Sequence, residues 1–141
     1  MIVQNAFNLF MLICCGYAAL AGGPEGRWGS GMMVTAGILS IVATIFDHSY
    51  RYMLPALFLV DLALLVGLVI LSVRSDRWWP IWCAAFQLNA VAGHLVALLS
   101  PVVLRNVYYA MVTIWATPML LVMVAGTMLD RRHDRNQLDT V

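Results

Sequence analysis

The chain has 141 residues, of which 62% are hydrophobic and 11% are charged, and its formal net charge is +1. Ordinary globular domains carry about 25% charged residues, so the charges here are too few to cover a water-soluble surface. The basic residues form no patch of the kind that binds nucleic acid. This composition predicts an all-α membrane protein whose first partner is the lipid bilayer, and it excludes nucleic acid as a partner.

Five apolar stretches are long enough to cross a bilayer as helices, since a membrane core about 30 Å thick needs roughly 20 apolar residues per helix. No Lys or Arg precedes Arg27, so the positive region of a signal peptide is missing and we expect the first span to be retained. We predict a bundle of five transmembrane helices with short loops in residues 1–129, with spans at 5–22, 29–46, 52–73, 79–99 and 106–129, followed by a short polar cytoplasmic tail at 130–141.

Arginine placement predicts the orientation of this bundle, because the cytoplasmic segments of membrane proteins are enriched in Lys and Arg. With the C-terminus in the cytoplasm, the cytoplasmic segments hold Arg27, Arg74, Arg77, Arg131, Arg132 and Arg135, and the outer segments hold Arg51 and Arg105. Aromatic side chains near the ends of the spans are typical of headgroup anchors at the membrane surface. The predicted anchors are Trp28, Trp78, Trp79, Trp82, Tyr108 and Tyr109.

Asp61 is the most informative single residue, because it lies near the middle of the third predicted span. A charged aspartate at that depth costs at least about 2.5–3.5 kcal/mol, so we expect it to be neutral, paired or facing water. The fourth span is the most polar one and contains Gln87, Asn89 and His94. Gln87 and His94 are seven residues apart and lie within about 20° of each other on a helix. These four residues form the predicted polar intramembrane cluster.

Asp61 and His94 are expected to meet within this cluster. At about 1.5 Å of rise per residue, antiparallel third and fourth helices place the two residues within about 5 Å of each other in depth. The two side chains then come within reach of each other if the faces of the two helices match, and an Asp61–His94 contact is the sharpest structural hypothesis that the sequence offers. It acts either as a clasp that pins two helices or as part of a proton or ion pathway, since intramembrane Asp and His are common carriers in pumps and transporters.

A second pattern on the fourth span consists of small residues and one amide at strict i+4 spacing: Ala85, Asn89, Gly93 and Ala97. Small residues let membrane helices approach closely, so this pattern predicts a helix-packing face. A helix with a polar face and a separate small-residue face has neighbours on two sides. We therefore expect the fourth span at the centre of the bundle.

His94 is also the one candidate axial ligand for a pigment. The segment Ala90-Val91-Ala92-Gly93-His94 resembles helices that seat a bacteriochlorophyll, in which a small residue one turn earlier makes room for the ring. That resemblance implies bacteriochlorophyll or haem at His94. No other metal site or cofactor is predicted. The chain has no acyl-transfer arrangement, phosphate-binding glycine loop or HExxH motif, so we expect no enzyme activity.

The order of features along the chain supports one wider resemblance. These features are Tyr17, Gly22-Gly23-Pro24-Glu25-Gly26-Arg27, Val60-Asp61-Leu62, Arg74-Ser75-Asp76-Arg77-Trp78-Trp79-Pro80-Ile81-Trp82, Gln87 and His94-Leu95. In this order they resemble small uncharacterised polytopic inner-membrane proteins of alphaproteobacterial type. The resemblance implies a multi-pass protein of the bacterial inner membrane and carries no assigned activity.

Three functions are consistent with these features. The first is an accessory or scaffolding subunit of a larger inner-membrane complex, held by helix packing against other membrane subunits. The alternative is a small oligomeric transporter or channel, coupled to protons or ions, that uses Asp61 and His94. The third is a pigment- or haem-binding membrane subunit that uses His94.

Overall fold

The computed structural model describes residues 2–46, 50–99 and 105–138, with side chains described within 5–45, 55–99 and 114–136. Every regular element in these ranges is an α-helix. The helices are α1 (Ile2–Ala21), α2 (Gly23–Phe46), α3 (Tyr50–Arg74), α4 (Trp79–Leu99) and α5 (Arg105–Leu138). The predicted all-α class is therefore confirmed.

Three helices contain stretches that are long and apolar enough to cross a membrane: Gly23–Ile45, Pro55–Arg74 and Trp79–Leu99. Helix α1 supplies a shorter apolar stretch, Asn5–Ala21, and the predicted span 106–129 begins among side chains outside the described residues. Large apolar side chains also point outwards, with Leu20 89% exposed and Val73 81% exposed. An outer surface this apolar matches lipid, because soluble monomers rarely expose large contiguous apolar patches.

The helices form a closed ring. Each helix packs against the next one along the chain, and α5 packs back against α1. The core lies inside the ring and takes a nearly or fully buried residue from every helix: Cys15 of α1, Met33 of α2, Leu68 of α3, Cys83 of α4 and Met123 of α5. Helices that follow one another along the chain are antiparallel because the connections between them are short, whereas α1 and α5 run in the same direction.

The turn between α1 and α2 is shorter than the sequence predicts. The second span is predicted to begin at residue 29, whereas α2 begins at Gly23, and only Gly22 lies between the two helices. Gly23 has a φ of 61°, which glycine adopts without the penalty that a Cβ brings. A Cβ on Gly22 would lie 2.6 Å from Cγ2 of Thr127 in α5. Glycines therefore permit both the reversal and its contact with α5.

Trp79 is a core residue, which corrects its predicted role as an interfacial anchor. Its side chain is 0% exposed and lies between glycines of two other helices. A Cβ on Gly29 of α2 would be 2.9 Å from Cη2 of the indole, and a Cβ on Gly126 of α5 would be 2.5 Å from Cγ. The two glycines leave a slot for the ring, and burying an indole is strongly favourable. The sequence pattern misses this because the two glycines are distant from Trp79 along the chain.

The other predicted anchors differ from Trp79 in their exposure. Trp28 is 70% exposed, Trp82 is 55% exposed and Trp78 is 43% exposed, which leaves their rings free to reach the headgroups. Contact with headgroups remains a prediction for these three residues. The side chains of Tyr108 and Tyr109 lie outside the described residues.

We predict that Gly29→Ala destabilises the protein. The added Cβ meets the buried ring of Trp79, and overpacking of this kind typically costs about 1–3 kcal/mol. Thermal unfolding of the purified protein in detergent should therefore show a lower midpoint. Gly31→Ala is the matched control on the same helix, because its Cβ would meet nothing within 4 Å. Equal unfolding midpoints for the two variants would show that Gly29 is not needed to make room for the ring of Trp79.

Candidate functional site

Asp61 of α3 and His94 of α4 contact each other inside the bundle. Nε2 of His94 and Oδ2 of Asp61 are within hydrogen-bonding distance. The side chain of His94 is 2% exposed and that of Asp61 is 18% exposed. The contact that the depth comparison predicts is thus present. The contact joins α3 to α4.

Gln87 makes a second contact between the same two helices. Its Nε2 donates a hydrogen bond of 3.2 Å to the backbone carbonyl oxygen of Asp61, and Gln87 is 3% exposed. Because Gln87 and His94 lie within about 20° of each other on α4, both side chains reach α3 at the position of Asp61. Helix α4 therefore binds both the side chain and the backbone of Asp61.

Asn89 does not join this group of residues, although the sequence places it in the same polar cluster. It is exposed, and its Nδ2 donates a hydrogen bond of 2.9 Å to the carbonyl oxygen of Ala85 in its own helix. Two residues correspond to about 200° of rotation on a helix, so Asn89 points away from the side that carries Gln87. The structure brings together Asp61, Gln87 and His94.

The predicted packing face at Ala85, Asn89, Gly93 and Ala97 does not pack as one face within this chain. Ala85 and Asn89 are exposed, a Cβ on Gly93 would meet nothing within 4 Å, and Ala97 is buried. Each i+4 step rotates by about 40°, so four such residues spread over about 120° of the helix. The four residues therefore run from the outer surface of α4 into the core. The buried side of α4 is instead marked by Gln87 and His94, whose seven-residue spacing keeps them on one side of the helix.

Helix α4 is nevertheless the most buried of the three helices that could span a membrane. Within the bundle 39% of the most apolar 18-residue stretch of α4 is buried, against 22% for α2 and 17% for α3. Its packed side consists of Cys83, Ala84, Gln87, Ala90, Val91, His94 and Ala97, together with Trp79 and Pro80. This side contacts both α3 and α5, so α4 has the two neighbours that the sequence predicts, but it is one member of the ring and not its centre.

An ion-pair cluster outside the helix interior escaped the sequence reasoning. Arg77, in the connection from α3 to α4, binds Asp130 at 3.4 Å and Asp134 at 3.1 Å on α5. The hydrogen bonds that Arg77 donates to the carboxylate of Asp134 raise the pKa of Arg77 above its ordinary value, and the charge of Asp130 adds to this effect. The i+4 spacing of the two aspartates is the only sequence signal for the cluster, since it places both on one side of α5.

The Asp61–His94 pair is chemically suited to hold helices together. Removing one partner of a buried pair leaves a polar or charged group without its counterpart, which is costly. Nε2 of His94 is engaged by Asp61, and Ala90, the residue expected to make room for a pigment ring, is 4% exposed. Seating a haem or bacteriochlorophyll beside Nε2 would thus require α3 and α4 to separate.

The described residues contain no group of three or more His, Cys, Asp or Glu side chains that could hold a metal ion. No protein-family model, curated protein or solved structure matches this chain.

We predict that Asp61 and His94 are energetically coupled. In a double-mutant cycle with Asp61→Ala and His94→Ala, the double variant should lose less stability than the sum of the two single losses. A coupling energy of about 0.5–3 kcal/mol is typical of residues in contact. Unfolding of each variant in detergent measures the four stabilities.

Asn89→Ala is the control on the same helix, because Asn89 is exposed and bonds only to its own helix among the described contacts. It should change the stability by less than about 0.5 kcal/mol. If the stability losses of the two single variants simply add in the double variant, the Asp61–His94 contact does not hold α3 and α4 together. A variant Asp61→Asn that assembles normally but loses proton or ion flux would instead favour the pathway.

Proposed function

We propose that this chain is an accessory or scaffolding subunit of a larger protein complex in the bacterial inner membrane. In this proposal the chain crosses the membrane five times and keeps its C-terminus in the cytoplasm. The apolar outer surface supports membrane insertion, and the arginine distribution supports the orientation. The resemblance to small inner-membrane proteins supports the bacterial location.

The observation that carries the proposal is the polar amide of Asn89 on the outer surface of α4. Asn89 lies between Ala85 and Ala92 on the exposed side of the helix, and all three residues are exposed. Its hydrogen bond to Ala85 uses one of the two N–H donors of the amide. Membrane helices associate through small residues that allow close approach and through amides that bond across helices. The residues Ala85, Asn89 and Ala92 therefore fit a helix of a partner subunit, and we name them the α4 outer face.

The internal polar groups support a structural role over transport. Gln87 and His94 of α4 both contact Asp61 of α3. His94 is 2% exposed, so protein atoms rather than open volume surround its ring. A transporter would use the same Asp61 and His94 and would have to open this contact during each cycle.

We predict that Ala92→Leu reduces the recovery of partner subunits. Gentle detergent extraction followed by native mass analysis should recover the unaltered chain with other membrane subunits. A leucine on the α4 outer face keeps a neighbouring helix from approaching closely, and Asn89→Leu removes the interhelical hydrogen bond. Interhelical hydrogen bonds contribute about 0.6–1.5 kcal/mol, so we expect Asn89→Leu to weaken association about threefold to tenfold.

Ala63→Leu is the matched control for the first variant. Ala63 is also exposed, but on α3, so the same added volume falls outside the α4 outer face and should leave the recovered complex unchanged. A pure homo-oligomer that conducts ions would contradict the accessory role and favour the transporter.

A further inference from the structure

A pocket of about 320 Å³ lies between α1 and the C-terminal part of α5. Its lining consists of Tyr17, Met128, Arg131, Arg132, Arg135 and Asn136. The three guanidinium groups and the phenol bring hydrogen-bond donors to one place, and Met128 contributes an apolar side. This lining is suited to an anion that carries several acceptor oxygens and is attached to an apolar group.

The arginines of the pocket are flanked by acidic residues of the same helix that do not line it. Arg131, Arg132 and Arg135 fall within about 100° of one another on α5, and Asp134 and Asp130 flank them, about 60° and 100° from Arg131 and about 160° from Arg132. Both aspartates bind Arg77 from the connection between α3 and α4. Neither aspartate lines the pocket, so the lining itself carries three positively charged residues and no negatively charged one.

We propose that this pocket binds a phosphate oxyanion, namely the headgroup phosphate of an anionic phospholipid. Guanidinium groups bind phosphate oxygens with matching planar geometry, often through two bonds at once. The pocket lies at the end of the bundle where α1 and α3 end and α4 begins, the end that also carries the exposed rings of Trp78 and Trp82. Exposed tryptophans of this kind lie at headgroup level, which puts the pocket beside lipid phosphates.

The site goes beyond a role as an accessory subunit and does not depend on any protein partner. It requires only that the helices lie in a membrane. A basic cluster next to a transmembrane helix attracts anionic lipids, and each arginine near the surface contributes a comparable share of that attraction. Here the cluster also surrounds a pocket with a phenol, so binding of a single headgroup is expected in addition to diffuse attraction.

The test is native mass analysis of the full-length chain, purified alone in detergent and titrated with phosphatidylglycerol or with phosphatidylcholine. We expect one phosphatidylglycerol to bind more tightly than the others and more tightly than phosphatidylcholine. Arg131→Gln, Arg132→Gln and Arg135→Gln should each weaken that binding about fivefold. Circular dichroism checks that each variant is folded, which these exposed positions should permit.

Arg74→Gln is the matched control, because Arg74 is exposed at the same end of the bundle and does not line the pocket. It should leave the affinity for phosphatidylglycerol within about twofold, since it removes only diffuse attraction. Equal affinities for the two lipids, or an equal loss in the Arg74 variant, would overturn the site. An excess of inorganic phosphate distinguishes a lipid headgroup from soluble phosphate as the ligand. If phosphate displaces the lipid, and this displacement depends on the three arginines, the pocket binds soluble phosphate. If phosphate does not displace the lipid, the pocket binds the lipid headgroup.

Discussion

A carboxyl group in the middle of an apolar helix is stable only where another group binds it, and in this bundle His94 binds Asp61. Gln87 holds the backbone of the same residue. Together these contacts fix the rotation of α4 about its own axis, because two side chains on one side of the helix must both reach one point on α3. The same rotation directs Asn89 outwards, and it places Trp79 on the inward half of the helix.

The rest of the ring accommodates this position of α4. Trp79 enters between Gly29 and Gly126, so α2 and α5 come close to the start of α4. Gly22 allows α1 to reverse into α2 against Thr127 of α5, which helps to close the ring. Arg77 then ties the connection from α3 to α4 to the end of α5. The contacts between helices thus involve glycines, hydrogen bonds and ion pairs, whereas the outer surface is largely apolar.

Much of this fold follows from the sequence, because span length, charge and helical rotation act locally. The boundaries of α4 follow from the length of the apolar stretch, and the similar depth of Asp61 and His94 follows from the rise per residue, whereas only the packed structure shows that the faces carrying them match. The position of Trp79 depends instead on glycines in α2 and α5, and only the packed structure shows that these glycines face it. The row from Ala85 to Ala97 does not pack as one face within this chain, because i+4 steps drift around the helix. The pocket between Tyr17 and the arginines of α5 likewise joins the two ends of the chain, which no local pattern links.

The central claim of this account is that the ring spans the membrane five times with its arginine-rich end in the cytoplasm. Fusions of green fluorescent protein and alkaline phosphatase after Val141, and after Leu99 at the end of α4, measure this directly in a bacterial host. The account predicts a fluorescent, phosphatase-inactive fusion at Val141 and an active phosphatase at Leu99. Phosphatase activity at Val141 would contradict it, since the C-terminus would then lie outside the cytoplasm.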